Sequence, residues 1–354
     1  MCAVFTGRHM CLEPGTSCEG CFFMYFQIET VLEKYDLEDA RISKGRQVLL
    51  CEKNQKLYGL KEYFGTEKKA QFLYRLGQYL RENGFVMDGL IKTREDALLA
   101  EGVDGIFYTL HHWYRGRECD IKSRMEIMMA VSALARFHRL CRGFPVGEHL
   151  YGTMEDPLQE YARHTKELKK IYRFVTKRKK KSEYEVLFLS CFQEFFKQCE
   201  EIQEQMEQRQ LHLSSEAFHV CHGDFNHHNV LSVLGEPVFL HFEKAGYGLQ
   251  IFDFCNFKRK VMEKYCWDES LGLEMLREYH RICPISEVEF WHMYYRLAYP
   301  EKFWKLADRY YVSNKAWISR QNYEKLEKEL RQNPYRKQYM HRLLYFYENM
   351  ERKK

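Results

Sequence analysis

Apolar residues alternate in the first third of the chain and recur at helical spacing after it. Within residues 26–37, Ile28, Val31, Leu32 and Tyr35 share one face, which predicts a short helix. Arg41 to Glu52 and Leu57 to Tyr63 read as two or three strands, with turns at Lys44-Gly45 and Lys53 to Gln55. Thr66 to Asn83 reads as a helix: Thr66 can cap it, Phe72, Leu73, Leu76 and Leu80 form its apolar face, and Asn83-Gly84 ends it. Two more strands are predicted at Asp96 to Glu101 and Ile106 to His111, joined by a turn at Gly102 to Gly105. Trp113 to Gly116 is a connector.

From Ile121 onward long helices dominate. Ile127, Val131, Leu134 and His138 line one face of the first, and Glu160 to Thr176 pairs with Ser182 to Gln208. Two strands follow, around Val230 and over Val238 to Glu243. Helices are then predicted at Ile251 to Lys264, Leu271 to Arg281, Ser286 to Tyr295, Glu301 to Tyr310 and Gln321 to Gln332. A small strand-rich N-terminal lobe, a short hinge and a large helical C-terminal lobe make an α+β fold of the two-lobed, protein-kinase-like type. The expected divisions are an N-terminal extension over 1–25, an N-lobe over 26–112 and a C-lobe over 113–354.

Composition narrows the class. The chain has 354 residues, 45% of them hydrophobic and 30% charged, enough to bury a sizeable core. A net charge of +5 suits an anionic ligand without requiring nucleic acid. The basic run Lys177 to Lys181 could touch nucleic acid or anionic lipid, but such runs are more often solvated helix connectors, and no nucleic-acid partner is expected. No apolar run approaches the roughly 20 residues that span a bilayer, so no transmembrane segment is expected. The 13 cysteines come without a secretory signal, which suits free thiols in a reducing compartment. Four of them, Cys2, Cys11, Cys18 and Cys21, lie beside His9 in the first 25 residues. A zinc knuckle from His9, Cys11, Cys18 and Cys21 competes there with a frayed extension, and the frayed reading is favoured because no second CxxC completes the site.

The chemistry centres on His222 to Asn229, read His-Gly-Asp-Phe-Asn-His-His-Asn. Asp224 is followed five positions later by Asn229, and apolar runs flank the pair. That is the pattern of a phosphoryl-transfer loop, in which the acid accepts the proton of an attacking hydroxyl and the amide oxygen holds Mg²⁺. Gly223 permits a tight turn before the acid. The competing readings are a turn between strands with a local Asp224 bond, and a metal site from His222, His227 and His228, whose spacing matches no standard zinc pattern. Lys61, inside a strand, is either an edge charge or a holder of phosphate. Trp291, Trp304 and Trp317 could line a substrate or partner surface or simply fill the core.

Several segments together resemble a known family. They are Leu60 to Tyr63, Trp113 to Asp120, Leu134 to His138, Cys221 to Asn229, Phe257 to Lys264, Tyr299 to Trp304 and Ser313 to Trp317. With these the chain resembles, over about residues 26 to 345, the CotS family of bacterial spore-coat proteins, within the aminoglycoside phosphotransferase and choline-kinase-like superfamily. The resemblance implies ATP and Mg²⁺ as cofactors, with ATP between the lobes and residues 107–113 as the hinge that takes adenine. It implies Lys61 on the α and β phosphates with Glu67 as its carboxylate partner, Asp224 as catalytic base and Asn229 as a metal ligand. It implies a hydroxyl acceptor, other spore-coat proteins as partners, and a location in the mother-cell cytoplasm and spore coat.

The chain departs from the superfamily where a second metal-binding Asp is expected, because His241 stands there, and His is a poor Mg²⁺ ligand. Glu243, two residues on and on the same side of a strand, is the expected substitute ligand. Asp253 falls where the family pattern braces the loop. The first hairpin has only Gly45 in place of a Gly-rich phosphate loop. Two functions are therefore expected to compete: a phosphotransferase acting on a hydroxyl, and a catalytically inactive kinase-like protein serving as a coat scaffold.

Overall fold

The computed structural model describes residues 28–103, 105–145, 156–211, 217–312 and 320–351. The described residues form two compact units, one ending at Gly77 and resuming over Gly89–Tyr114, the other made of Gln78–Asp88 and those from Arg115. No described helix is long and apolar enough to cross a membrane.

The first unit opens with a short helix, α1, at residues 28–33. Strands β1 (Arg41–Gly45), β2 (Val48–Lys53) and β3 (Lys56–Tyr63) follow, then helix α2 (Glu67–Glu82), whose end from Gln78 belongs to the other unit. Strands β4 (Leu90–Ile91), β5 (Ala100–Glu101) and β6 (Phe107–His112) complete it. The sheet is antiparallel in the order β1-β2-β3-β6-β4, with β5 also on β6. Its turns follow from residue chemistry. Asn54 and Gln55 both have positive φ, 51° and 63°, and so connect β2 to β3 in the twist sense that tight hairpins need. The β1–β2 turn falls at Arg46–Gln47, just after the predicted Lys44-Gly45, with Gln47 taking the positive φ of 57°. Val31, Leu32, Cys51, Leu60 and Leu110 bury one face of the sheet against α1. The Thr66 hydroxyl accepts from the Lys69 N–H at 3.2 Å and caps α2, and Gly84, with φ 71°, follows its end.

The expected strand at Asp96 to Glu101 is mostly turn. The Lys92 ammonium holds Asp96 at 2.7 and 2.8 Å, the Ala97 N–H donates to the Thr93 hydroxyl, and Asp96 takes a φ of 64°. Only Ala100 and Glu101 pair, and the unpredicted β4 occupies the sheet position beyond β6.

The second unit begins with β7 (Arg117–Glu118) and helices α3 (Arg124–Cys141), α4 (Pro157–Lys177) and α5 (Glu183–Arg209). Strands β8 (His219–Cys221), β9 (Val230–Val233), β10 (Glu236–Phe239) and β11 (Gly246–Gly248) come next. Helices α6 (Ile251–Lys264), α7 (Glu269–Ile282), α8 (Glu287–Ala298), α9 (Glu301–Val312) and α10 (Arg320–Glu351) end it. Two small antiparallel sheets, β10-β9-β7 and β11-β8, frame the predicted loop. All four apolar-face residues predicted for α3 are buried. An aromatic core of Phe188, Phe192, Phe195, Phe303 and Tyr310 joins α5 to α9.

Two boundaries differ from expectation. The strand predicted to reach Glu243 ends at Phe239, and residues Phe242–Lys244 form a 3₁₀ turn entered through His241 at a φ of 66°. The argument that a strand aims Glu243 to the side of His241 therefore fails. The last helix runs to Glu351, through Pro334, where an end near Gln332 was expected. Buried Arg336, Tyr339, Met340 and Leu343 continue its packed face beyond the proline, so tertiary contacts outweigh the lost backbone bond.

Arg178 ties the basic connector to Glu185 at 2.8 Å and to the Tyr310 hydroxyl at 3.1 Å, as a helix joint would. Trp304 stacks on His164 at 3.4 Å and donates to Glu167, and Trp291 packs at the aromatic core, so both serve packing. The cysteines among the described residues are free thiols, buried except for Cys266. Burial pushes the Cys191, Cys199 and Cys255 thiols up to about 12. The N-terminal cysteines and the segment Ser313 to Trp317 lie outside the described residues.

Candidate active site

The loop between β8 and β9 is held from beneath by one carboxylate. Asp253, on α6 and 3% exposed, accepts the His222 N–H at 2.6 Å and the Gly223 N–H at 3.0 Å. Its Oδ2 also lies 3.3 Å from His138 Nε2, and His138 Nδ1 meets the Tyr279 hydroxyl at 2.6 Å. Burial holds the His138 imidazole below its ordinary pKa, against the pull of Asp253. The Gln250 amide donates to the carbonyls of His138 and Val220, joining α3, β8 and the start of α6. Asp253 thus takes the bracing place the family resemblance implies.

His222 is structural. Its Nε2 lies 2.9 Å from the Leu240 carbonyl and its Nδ1 accepts the Asp224 N–H at 3.3 Å, which assigns the proton to Nε2. The ring is buried, and burial lowers its pKa. His228 Nδ1 lies 2.5 Å from Glu118 on β7. Among the described residues no three His, Cys, Asp or Glu side chains converge on a metal position, so the histidine metal site does not form.

Asp224 and Asn229 are brought together. The Asn229 amide nitrogen donates to the Asp224 carbonyl at 2.8 Å, which leaves the amide oxygen as its remaining polar end. Asn226 donates to both the carbonyl and Oδ1 of Asp224, at 2.9 and 3.1 Å. Lys244 donates to Asp224 Oδ2 at 3.0 Å. Partial burial works to raise the Asp224 pKa, but the Lys244 ammonium and the Asn226 hydrogen bond outweigh it and leave the carboxyl below its ordinary value.

Gly223 explains itself by geometry. Its φ is 79°, and a Cβ there would stand 2.2 Å from the Lys244 carbonyl oxygen. Gly223→Ala is expected to cost about 2–4 kcal/mol, combining left-handed strain with backbone displacement. Urea denaturation checks this; a loss under about 0.5 kcal/mol would show that the two segments part readily.

His241 and Glu243 stand on the 3₁₀ turn. The His241 N–H donates to Asp88 Oδ2 at 2.9 Å, and its Nδ1 lies 3.8 Å from Glu243 Oε1. Asn229 and Glu243 carry the hard oxygen donors that Mg²⁺ prefers, and Mg²⁺ commonly takes few protein ligands with phosphate and water completing its shell. The donor set fits such a sparse site. In the first unit Lys61 is buried on β3 opposite Thr109, its ammonium 5.1 Å from the Trp113 ring centre. Glu67 lies exposed in the first turn of α2, where it accepts from Gln71 at 3.4 Å.

Sequence reasoning missed Lys244, Asp88 and Glu118. A basic residue 20 positions beyond Asp224 and an acid 153 positions before His241 carry no local signal. Only the lysine next to Glu243 was within sight of the motif.

Solved structures similar to this one include phosphotransferases. The aminoglycoside phosphotransferase of Alicyclobacillus acidocaldarius subsp. acidocaldarius DSM 446 superposes with a TM-score of 0.81 at 18% identity, over 91% of this chain and 96% of its own. Amicoumacin kinase hAmiN, solved with AMP-PNP and Ca²⁺, gives 0.57 at 12% identity, over 92% and 96%. At these identities the likeness is one of fold, and that fold is kinase-like. Spore coat protein S of Bacillus subtilis (strain 168) is 27% identical over 104 residues, which are 29% of this chain and 30% of that protein's own length. The family described as "Spore coat putative kinase YutH" matches residues 28–343. With most of its length accounted for in this way, and with the braced Asp224 loop on a kinase-like fold, the chain belongs to that family of kinase-like spore-coat proteins.

Proposed function

We propose that the protein is a spore-coat-associated phosphotransferase that uses ATP and Mg²⁺ to phosphorylate a hydroxyl. The observation that carries this reading is the held loop: Asp253 fixes the two residues before Asp224, and Asn229 fixes the carbonyl of Asp224 itself. Phosphoryl transfer depends on such positioning more than on covalent help. Asp224 would accept the proton of the attacking hydroxyl. Asn229 and Glu243 would hold the metal, which supplies charge neutralisation on the phosphates when bound. Lys61 would take the α and β phosphates, with residues 107–113 on the adenine; Glu67 is the proposed partner of Lys61. The N-lobe and C-lobe divisions proposed from sequence, 26–112 and 113–354, carry these roles. Membership of a spore-coat family supports a place in the coat and, before assembly, in the mother-cell cytoplasm, with other coat proteins as partners.

A second reading rests on two observations. By the family resemblance His241 stands where a metal-binding Asp is expected, and Lys244 engages the carboxylate of Asp224. Both suit an inactive scaffold. Thermal unfolding with ATP, with and without Mg²⁺, separates the two. Nucleotide at about 100 times its Kd adds about 2.7 kcal/mol to the native state. The expected result is a Mg²⁺-dependent rise of about 4 °C, reduced in Lys61→Ala and in Glu243→Gln. An unchanged midpoint at millimolar ATP would leave the scaffold reading standing.

A further inference from the structure

One lysine pairs with the candidate base, and the charge of a second acts on it. The Lys244 ammonium is 3.0 Å from Asp224 Oδ2, and its side chain is 70% exposed. The turn that carries it is pressed against Gly223, so Lys244 is held beside the loop by its own backbone. Lys260, exposed on α6, is the second cation whose charge acts on Asp224. Among the described residues Lys260 enters no ion pair.

The surrounding charges do not neutralise this pair. Arg259 and Lys305 both bond Glu301, which is drawn down to about 2 despite its burial by them and Arg296. Lys302 is paired with Glu263 at 2.9 Å and Glu329 at 3.5 Å. Glu263, whose charge acts on Lys260, is thus already held by Lys302. Glu243, beside Lys244 on the same turn, is the proposed ligand of the metal; of the remaining charges Asp224 carries one negative against Lys244 and Lys260, and the excess is positive.

We propose that the hydroxyl compound brought to Asp224 is an anion, a polyol bearing a carboxylate or phosphate, held by Lys244 and Lys260. This rests on the phosphotransferase reading and names the class of its acceptor. A cationic amino sugar would be repelled by the same pair. An acceptor anion also competes for Lys244, and drawing that ammonium away frees Asp224 Oδ2 to accept the hydroxyl proton. The step balances: the acceptor oxygen bonds the γ-phosphorus, the bond from that phosphorus to the β–γ bridging oxygen breaks, ADP leaves with that electron pair, and the proton goes to Asp224.

The test uses the full chain with Mg²⁺ and AMP-PNP, titrated by ligand-observed NMR with D-gluconate, D-glucose 6-phosphate, D-glucose and D-glucosamine. The expected result is that at least one anion binds about tenfold or more tightly than the neutral and cationic sugars. Lys244→Glu and Lys260→Glu should each erase that preference, while Lys260→Arg keeps it. Gluconate and glucose 6-phosphate distinguish carboxylate from phosphate. Equal binding of glucosamine, or no binding by either anion, overturns the proposal. So does a loss of AMP-PNP affinity in the variants with the sugar preference intact, which would assign the lysines to the nucleotide. Anion binding without AMP-PNP binding would instead defeat the phosphotransferase reading and leave the anion site in place.

Discussion

Asp253→Ala is expected to lower the unfolding free energy by about 3–5 kcal/mol, most of it through the loop. The carboxylate accepts two backbone N–H groups and faces the His138 imidazole in a site that solvent does not reach. Alanine leaves both N–H groups without an acceptor, and each buried unpaired group costs about 1–3 kcal/mol. The loss of side-chain packing adds to this. Asp253→Asn keeps one acceptor oxygen and should fall between the two. Urea unfolding followed by circular dichroism measures all three proteins. A loss below about 1 kcal/mol in the alanine variant would mean that the loop is held by its other contacts, and that the brace is not what positions Asp224.

Lys258→Met should have the opposite sign. Lys258 is fully buried on α6, donates to the Gly272 carbonyl at 2.6 Å and lies between the Phe254 and Tyr339 rings. Burial drags its pKa down to about 7 from an ordinary 10.5. The unfolded chain therefore binds more protons than the native one between about pH 7 and 10.5, and stability must rise with pH across that window. Below it the native state carries the whole burial penalty, on the order of 4 kcal/mol. Methionine removes that penalty but leaves the Gly272 carbonyl unpaired, at about 1–2 kcal/mol. A net gain of about 2–3 kcal/mol at pH 6 is expected, shrinking to nothing or reversing near pH 10. Denaturation of both proteins at pH 6, 8 and 9.5 decides it; parallel pH profiles would show that Lys258 does not titrate in this range.

Much of the fold was legible because its cues are local. The 3.6-residue period at Ile127, Val131, Leu134 and His138 marked α3, and the Thr66 cap with Gly84 marked the ends of α2. Pairing cues were weaker. A two-residue strand such as Leu90–Ile91 has too few positions to alternate, and Asp96 reads as strand until the Lys92 pairing bends it. The long last helix was hidden by Pro334, since the value of Arg336 and Tyr339 as buried residues depends on partners far along the chain. At the candidate site the Asp224 and Asn229 spacing was legible, and the Asn229 side chain does reach the Asp224 backbone carbonyl. The turn at Phe242–Lys244 was not, because His241 in a left-handed conformation is set by Asp88 and by the return of the chain toward the loop. Lys244 escaped notice for the same reason: what gives it meaning is proximity to a residue 20 positions earlier.

The burial of the thiols makes the chain its own stopwatch. Cys221 sits in β8 just ahead of the loop, Cys255 lies on α6 behind it, and Cys51 belongs to the first unit's sheet. A neutral, buried sulfur cannot meet an alkylating reagent until its surroundings open, so each labelling rate counts the openings of one neighbourhood. Followed by mass spectrometry, Cys51 and Cys221 would time the two units separately in one sample, with exposed Cys266 marking the unhindered limit. If a bound ligand slows Cys221 alone, the loop is what it has quieted.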